Sequence, residues 1–205
     1  MKIYMLKFME FLGHIMSFIF TFGILDKVAS LRNRIYTGYH KRRFAHFGDS
    51  VLMWHHHTLI GEQYIHIGDN TIIESGIQLT ARKIDDISPT LKIGDNCLLR
   101  KDTHITAVNS VRIGNDLLTG TNVLITDNFH GKTDALSLCE SPRVRKPYSK
   151  GEVVIGNGVW LGNNVCVMPG VTIGDSVVVG ANSVVTHDVP SFAVVAGIPA
   201  RILNK

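Results

Sequence analysis

The residues from Ile125 to Gly131 read ITDNFHG. They hold a single histidine, His130, with a carboxylate three residues before it, Asp127. A long polar stretch follows, GKTDALSLCESPRVRKPYSKGEVV over 131–154. An imidazole has an ordinary pKa of about 6.5 and can take a proton at neutral pH, so a histidine held at the mouth of a loop suits general-base work. Asp127 is the nearest carboxylate in sequence and is the candidate to orient the ring. Spacing alone leaves two readings of His130 open, a positioned base and an exposed turn histidine, because the chain carries ten histidines. HHH at 55–57 alternates faces if extended and makes a poor metal tripod, since a metal site needs three or four converging ligands. Cys97, Cys139 and Cys166 are odd in number and widely spaced, with no CxxC. That pattern fits a reducing cytoplasm rather than a disulfide framework. Cys97 and Cys166 are expected to be packing residues.

A rigid frame must hold such a histidine, and the chain has one in its repeats. Every sixth residue from Ile155 is aliphatic: Ile155, Leu161, Val167, Ile173, Val179, Val185. The same grid fits upstream, with heads Ile113, Thr119, Ile125; Ile93, Leu99, Ile105; Ile67, Ile73, Leu79; and, more loosely, Phe47, Met53, Leu59. Of these heads only Thr119 is not apolar. A period of six is neither the 3.6 of a helix nor simple strand alternation. It predicts a parallel β-helix, in which each hexapeptide makes one short strand and one turn and three make a triangular coil. The heads point into the prism. The Gly, Asn and Asp that follow them, as in IGDN at 67 and 93, IGND at 113, IGNG at 155 and IGDS at 173, tolerate unusual corner angles. The expected fold class is all-β with an N-terminal helical segment. Residues 1–46 form an apolar and basic helical segment, 47–190 the β-helix with its long loop at 131–154, and 191–205 a C-terminal tail. Three interruptions break the grid: 85–92 (DDISPTLK), 111–112 and 131–154.

Composition excludes a disordered chain, with 45% apolar and 19% charged residues among 205. A net charge of +4 suits an anionic ligand or surface. Scattered basic residues argue against nucleic acid as a partner. KRR at 41–43 and RVRK at 143–146 read as solvated loop charges. The first 25 residues are apolar but interrupted, short of the ~18 uninterrupted apolar residues of a membrane span. No small-residue cleavage site follows them, which argues against a secretory signal. Basic residues do follow. Two readings stand: a helix lying in the membrane interface, giving peripheral membrane contact through 1–25, or a helix packed on the main domain or a sister subunit.

The segment VLITDNFHG, a polar loop, and then VVIGNGVWLGNNVCVMPGVTIGDSVVVGANSVVTHDVPSFAVVAGIPARIL closely resemble the hexapeptide-repeat acetyltransferases. The likeness is to the maltose/galactoside O-acetyltransferase branch and its polysaccharide-assembly cousins. It covers roughly 47–201 and leaves the first 46 residues out. The resemblance implies a left-handed β-helix, a homotrimer with an active site in each groove between subunits, and acetyl-CoA as co-substrate with no metal. It implies His130 as general base, acting on a sugar or glycan hydroxyl or another small-molecule acceptor. Many relatives carry a second histidine where this chain has Asn128. They also carry an acceptor-binding asparagine, which by spacing falls near Arg100 to Asp102, where no asparagine stands. For the pantetheine arm the motif match selects Trp160, Gly162, Asn163, Gly180 and Ala181. Thr186 and His187 match the adenine end, where relatives often carry Lys at the position of His187. Arg201 is the phosphate partner. Amino-sugar N-acetylation is the alternative on the same mechanism. A γ-type carbonic anhydrase using His104 and His130 lacks a third ligand, and a non-catalytic scaffold leaves the loop histidine unexplained. The cysteine pattern places the protein in the cytoplasm, or at the inner face of the membrane if residues 1–25 bind there.

Overall fold

The computed structural model describes residues 2–19 and 22–203. From His46 onward the chain winds into a left-handed parallel β-helix with three faces. The first face stacks His46–Phe47, Ile65–Ile67, Thr90–Ile93, Ser110–Ile113, Val153–Ile155 and Thr172–Ile173. The second runs from Leu52–Met53 through Trp160–Leu161 to Val178–Val179, and the third from Thr58–Ile60 through Leu124–Thr126 to Val184–Val185. Strands are two to four residues long because a corner must follow within each hexapeptide. The register follows the grid: Phe47, Ile67, Ile93, Ile113, Ile155 and Ile173 pair in one file. All grid heads are buried except Phe47 and Leu59, which are partly so.

Periodicity in the heads misses a second inward file. The residues two before them, among them Val51, Thr71, Cys97, Leu117, Val159 and Val177, are buried as well. Together the two files make one continuous aliphatic column, stabilising at ~25 cal/mol per Å² removed from water. Cys97 lies in it, and burial pushes its thiol pKa up. Thr119, the polar head, is tolerated because its hydroxyl accepts the N–H of Arg100 (2.8 Å) and meets the Thr103 hydroxyl (3.3 Å) inside the column.

The glycine after each head has a different reason from the one expected. Gly48, Gly68, Gly94, Gly114, Gly156 and Gly174 do not have positive φ; that conformation falls two residues later, at Ser50, Asn70, Asn96, Asp116, Gly158 and Ser176. What the glycines lack is room. The side chains of Asp69, Asp95, Asn115, Asn157 and Asp175 each reach back one coil and accept the backbone N–H there at 2.7–2.9 Å. Ser191 closes the series at 3.0 Å. A Cβ on Gly94 would stand 2.4 Å from Asn115 Oδ1 and 2.5 Å from the Gly114 carbonyl oxygen. A second ladder, Asn122–Asn164–Asn182, links side chains at 2.9 Å per step along the next corner.

The grid breaks four times, not three. Two extra residues separate the heads Leu59 and Ile67, where the chain makes the short 3-10 turn Glu62–Tyr64. All four breaks fall at one edge of the prism, between the third and first faces. The long excursion ends earlier than expected, since Val153 and Val154 already belong to the first face.

Two helices precede the β-helix, α1 (Lys2–Ile19) and α2 (Phe22–His40). α2 covers the open end of the first coil. The Thr37 hydroxyl accepts the outward N–H of Met53 (2.9 Å), and Asn33 Oδ1 accepts that of His55 (3.0 Å), so the helix satisfies an edge strand's unpaired donors. His55–His57 lie at a corner and not in a strand, packed around Tyr36 of α2. His57 is half-buried, with both ring nitrogens shielded from water and without a hydrogen-bond partner, and this desolvation pushes its pKa down to about 4. KRR at 41–43 is only partly solvated charge: Arg43 pairs with buried Glu62 at 2.8 Å. At the other end Val194–Gly197 adds to the second face, and Ala200–Ile202 folds back antiparallel on it.

Gly94→Ala is expected to cost about 1–3 kcal/mol, the usual range for overpacking. Gly38→Ala in α2, where a Cβ meets nothing within 4 Å, is expected to gain up to ~1 kcal/mol; denaturant unfolding of both variants compares them. His57 stays neutral in the fold well below its unfolded value of 6.5. Stability is therefore full above that pH and is lost as pH falls toward about 4. Melting curves across that window check this, and His57→Leu should flatten the decline.

Candidate active site

Three of the four excursions at the third-to-first edge, at 84–87, 108–109 and 131–149, build the walls of one site. Asn128–Phe129 leaves the third face and pairs antiparallel with Tyr148–Ser149, so the long insertion is a hairpin standing off the prism. Within it a short helix, α3 (Ala135–Cys139), is capped by Asp134, which accepts from the Ser137 N–H and holds its own pKa down by that bond. Arg145 donates to the Leu138 and Glu140 carbonyls at the other end of α3 (2.8–3.1 Å). Lys146 forms an ion pair with Asp85 of the shorter excursion. RVRK at 143–146 is thus partly a tether, not simply solvated charge. Gly131, at φ +88, lies where a Cβ would meet Arg145 Cβ at 2.7 Å, which closes the hairpin base tightly.

Between the two excursions lies a cavity of about 570 Å³. Ile84 and Ile87 form its apolar side, Asp85 and Lys146 supply charge, and Tyr148 and Asn109 stand at its rim. A second cavity of about 450 Å³ shares Gly131, Lys132 and Tyr148 on the hairpin's flank. Lys132 Nζ sits 5.4 Å from the Tyr148 ring centre. His130 is exposed at the hairpin base, between Phe129 and Gly131, which line these cavities. It makes no hydrogen bond among the described residues.

Asp127 does not orient His130. Its buried carboxylate accepts the backbone N–H groups of Val108 (3.0 Å), Asn109 (2.8 Å) and Ser110 (2.7 Å), and Asn128 Nδ2 at 3.0 Å. It anchors the corner that carries Asn109. Arg100 to Asp102, where spacing put the acceptor asparagine, lie at a different edge, with Arg100 beside Glu74 at 3.5 Å. The asparagine at the cavity is Asn109. One signal in the sequence could have found it: each grid break follows the third head of its block, so the breaks must stack. His104 lies on the outer third face, its Nε2 buried without a partner and its pKa lowered by burial. Among the described residues no three His, Cys, Asp or Glu side chains converge as metal ligands.

The residues matched to CoA fall on two separate edges. Trp160, half exposed, lies on the second face, as does the strand that carries Arg201. Gly162, Asn163, Gly180 and Ala181 form the corner after it, where a Cβ on Gly162 would stand 2.6 Å from the Ala181 nitrogen. Asn163 Oδ1 is occupied by the Thr121 N–H (2.9 Å). Thr186 and His187, joined at 2.8 Å, stand instead on the edge of His130. They lie two coils along, about 10 Å at the usual strand spacing.

A family model for the bacterial transferase hexapeptide (six repeats) matches residues 152–187. The matched residues are two successive coils of the prism, from the strand Val153–Ile155 to the strand Val184–Val185. The chain's repeats resemble those of WbbJ of Escherichia coli K12, a protein named for lipopolysaccharide biosynthesis O-acetyl transfer, at 47% identity over 88 residues. They resemble the galactoside O-acetyltransferase of the same organism at 42% over 91 residues. Each match covers 42% of this chain, and respectively 45% and 42% of the relative, so less than half of either relative's length is spanned. AntD, an N-acyltransferase from Bacillus cereus solved with dTDP and 3-hydroxybutyryl-CoA, has the same fold, at a TM-score of 0.68 and 19% identity over 82% of this chain and 87% of AntD.

Asp127→Ala should strip three backbone N–H groups, two of them buried, of their acceptor and lower stability by about 3 kcal/mol. Urea unfolding measures it. Asp127→Asn should lose less, because the amide oxygen can still accept.

Proposed function

We propose that this hexapeptide-repeat protein is an acetyl-CoA-dependent acetyltransferase that O-acetylates a hydroxyl of a sugar or glycan. The observation that carries the reading is the position of His130: an imidazole at the base of a stapled hairpin, beside a cavity with apolar, aromatic and charged walls, on the edge of a rigid prism. The O-acetyltransferase names of the relatives point the same way.

In this reading the acceptor hydroxyl enters from the cavity and gives its proton to His130 as its oxygen bonds to the thioester carbonyl carbon. The tetrahedral adduct collapses, the carbon–sulfur bond breaks, and the CoA sulfur leaves with the proton returned by the imidazole. The acetyl ester and free CoA remain. The thioester is already activated, so proton removal and positioning are what the chain must supply.

We further assign the assembly as a homotrimer. The CoA-matched residues occupy two edges of one prism. Prisms side by side bring one edge of a subunit against a different edge of its neighbour, so a single groove can collect both sets. Trp160, Gly162, Asn163, Gly180 and Ala181 then flank the pantetheine arm, with Thr186 and His187 toward the adenine and Arg201 on phosphate. Asn163 Oδ1 already accepts the Thr121 N–H, which fixes the amide and leaves its Nδ2 as the donor it can offer. The setting we assign is the cytoplasm or the inner face of the membrane.

His130→Ala should lower turnover at least ~100-fold, with thermal stability unchanged because the ring is exposed and unbonded. Near-full activity in that variant removes His130 from the mechanism. Titration calorimetry with acetyl-CoA should show one site per chain; no heat of binding to the folded trimer overturns the cofactor assignment.

A further inference from the structure

The charge of this chain is divided unevenly. Residues 1–43 hold eight basic and two acidic residues, a net +6, and residues 44–205 carry −2. The basic end is also where apolar surface is left uncovered. On α1, at 100° per residue, Tyr4, Met5, Phe8, Phe11, Leu12 and Ile15 fall within an arc of about 120°. Each is exposed by 39–79%. Lys2, Lys7 and Glu10 lie on the other side of that helix, interleaved with exposed Ile3, Leu6 and Met9, so uncovered apolar surface extends beyond the arc. On α2 the exposed residues Ile24, Val28, Leu31 and Ile35 make a second stripe at intervals of four, three and four. It lies opposite the face with Asn33, Thr37 and His40 that docks on the first coil.

A second copy of the chain is the obvious occupant of the α2 stripe, since its spacing is that of a coiled-coil seam. The flanks argue against it. Lys27, Arg32 and Arg34 border the stripe, so in a parallel homotypic pair Lys27 would face Arg32 across the seam, like charge against like. Apolar stripes with cationic borders are complementary to a surface that is apolar within and anionic at its rim. No described helix is long and apolar enough to cross a membrane. α1, at 18 residues, is about 27 Å long and suited to lying flat.

We propose that α1 and α2 form a two-helix anchor that docks the hexapeptide prism on an anionic phospholipid surface. The stripes enter the interface, and Lys2, Lys7, Lys27, Arg32 and Arg34 meet the headgroups. Lipid binding by the helices needs no transferase chemistry, so this proposal and the acetyltransferase reading fail separately.

The test is co-sedimentation of the full chain with phosphatidylcholine vesicles, with and without phosphatidylglycerol. Partition onto the anionic vesicles should be at least ~10-fold stronger and should weaken with added salt. The triple variant F8S/F11S/L12S should stay in the supernatant, with its acetyl-CoA binding and melting temperature unchanged, because these side chains are exposed and lie outside the buried core of the prism. R32E/R34E should lose most of the preference for anionic vesicles. Equal binding to neutral vesicles overturns the role of the basic flanks. No binding to either vesicle overturns the proposal. Should the triple variant change the sedimentation coefficient of the lipid-free protein instead, the stripes are an interface between copies and the proposal falls.

Discussion

The structure depends on how closely one coil can lie on the next. Parallel pairing sets that spacing at just under 5 Å, and the corners must match it. They do so through one repeated contact, in which an Asp or Asn side chain crosses to the previous coil and accepts its backbone N–H. The crossing passes over the glycine that follows each head, and only a missing Cβ leaves space for it. Ile-Gly-Asp-Asn is therefore four jobs in sequence: an inward anchor, a gap, a tie to the neighbouring coil, and a residue that accepts positive φ.

The ties also explain where the insertions went. The edge between the first and second faces carries the Asp/Asn ladder, and the next edge carries the Asn122–Asn164–Asn182 file. Extra residues at either would break a tie on both sides. The remaining edge has sparser ties, chiefly Asp127 and Asp188. All four departures from the repeat occur there, and three of them, stacked on one another, become the walls of a cavity. A site arises on the one edge of the prism that could grow.

Asp127 and α2 play parallel parts at different places. Each supplies acceptors to backbone donors that the repeat leaves unpaired, Asp127 at an irregular corner and α2 at the open end of the first coil. In both, polar groups near the core are tolerated because their partners are fixed. His57 is the exception, a half-buried ring whose shielded nitrogens have no hydrogen-bond partner, and its low pKa is the physical consequence.

Local pattern determined much of this protein. The period of six, the aliphatic heads and the corner residues specify a β-helix, because each coil repeats the same nearest-neighbour contacts and needs no distant information. The pattern also marked His130 and the loop after it as a departure. Other features could not be seen in the chain as a line. Asp127 looked like a partner for His130 because it is three residues away, yet its carboxylate turns to Val108–Ser110, which lie one coil earlier in space. Asp85, Asn109 and Lys146 share a cavity although they come from three separate excursions, and RVRK read as free charge until Arg145 and Lys146 found their acceptors. The two sets of CoA-matched residues read as one motif but stand on different edges. In a solenoid the neighbour that matters is the coil above or below, and insertions of unequal length shift which residue that is; only the wound structure decides it.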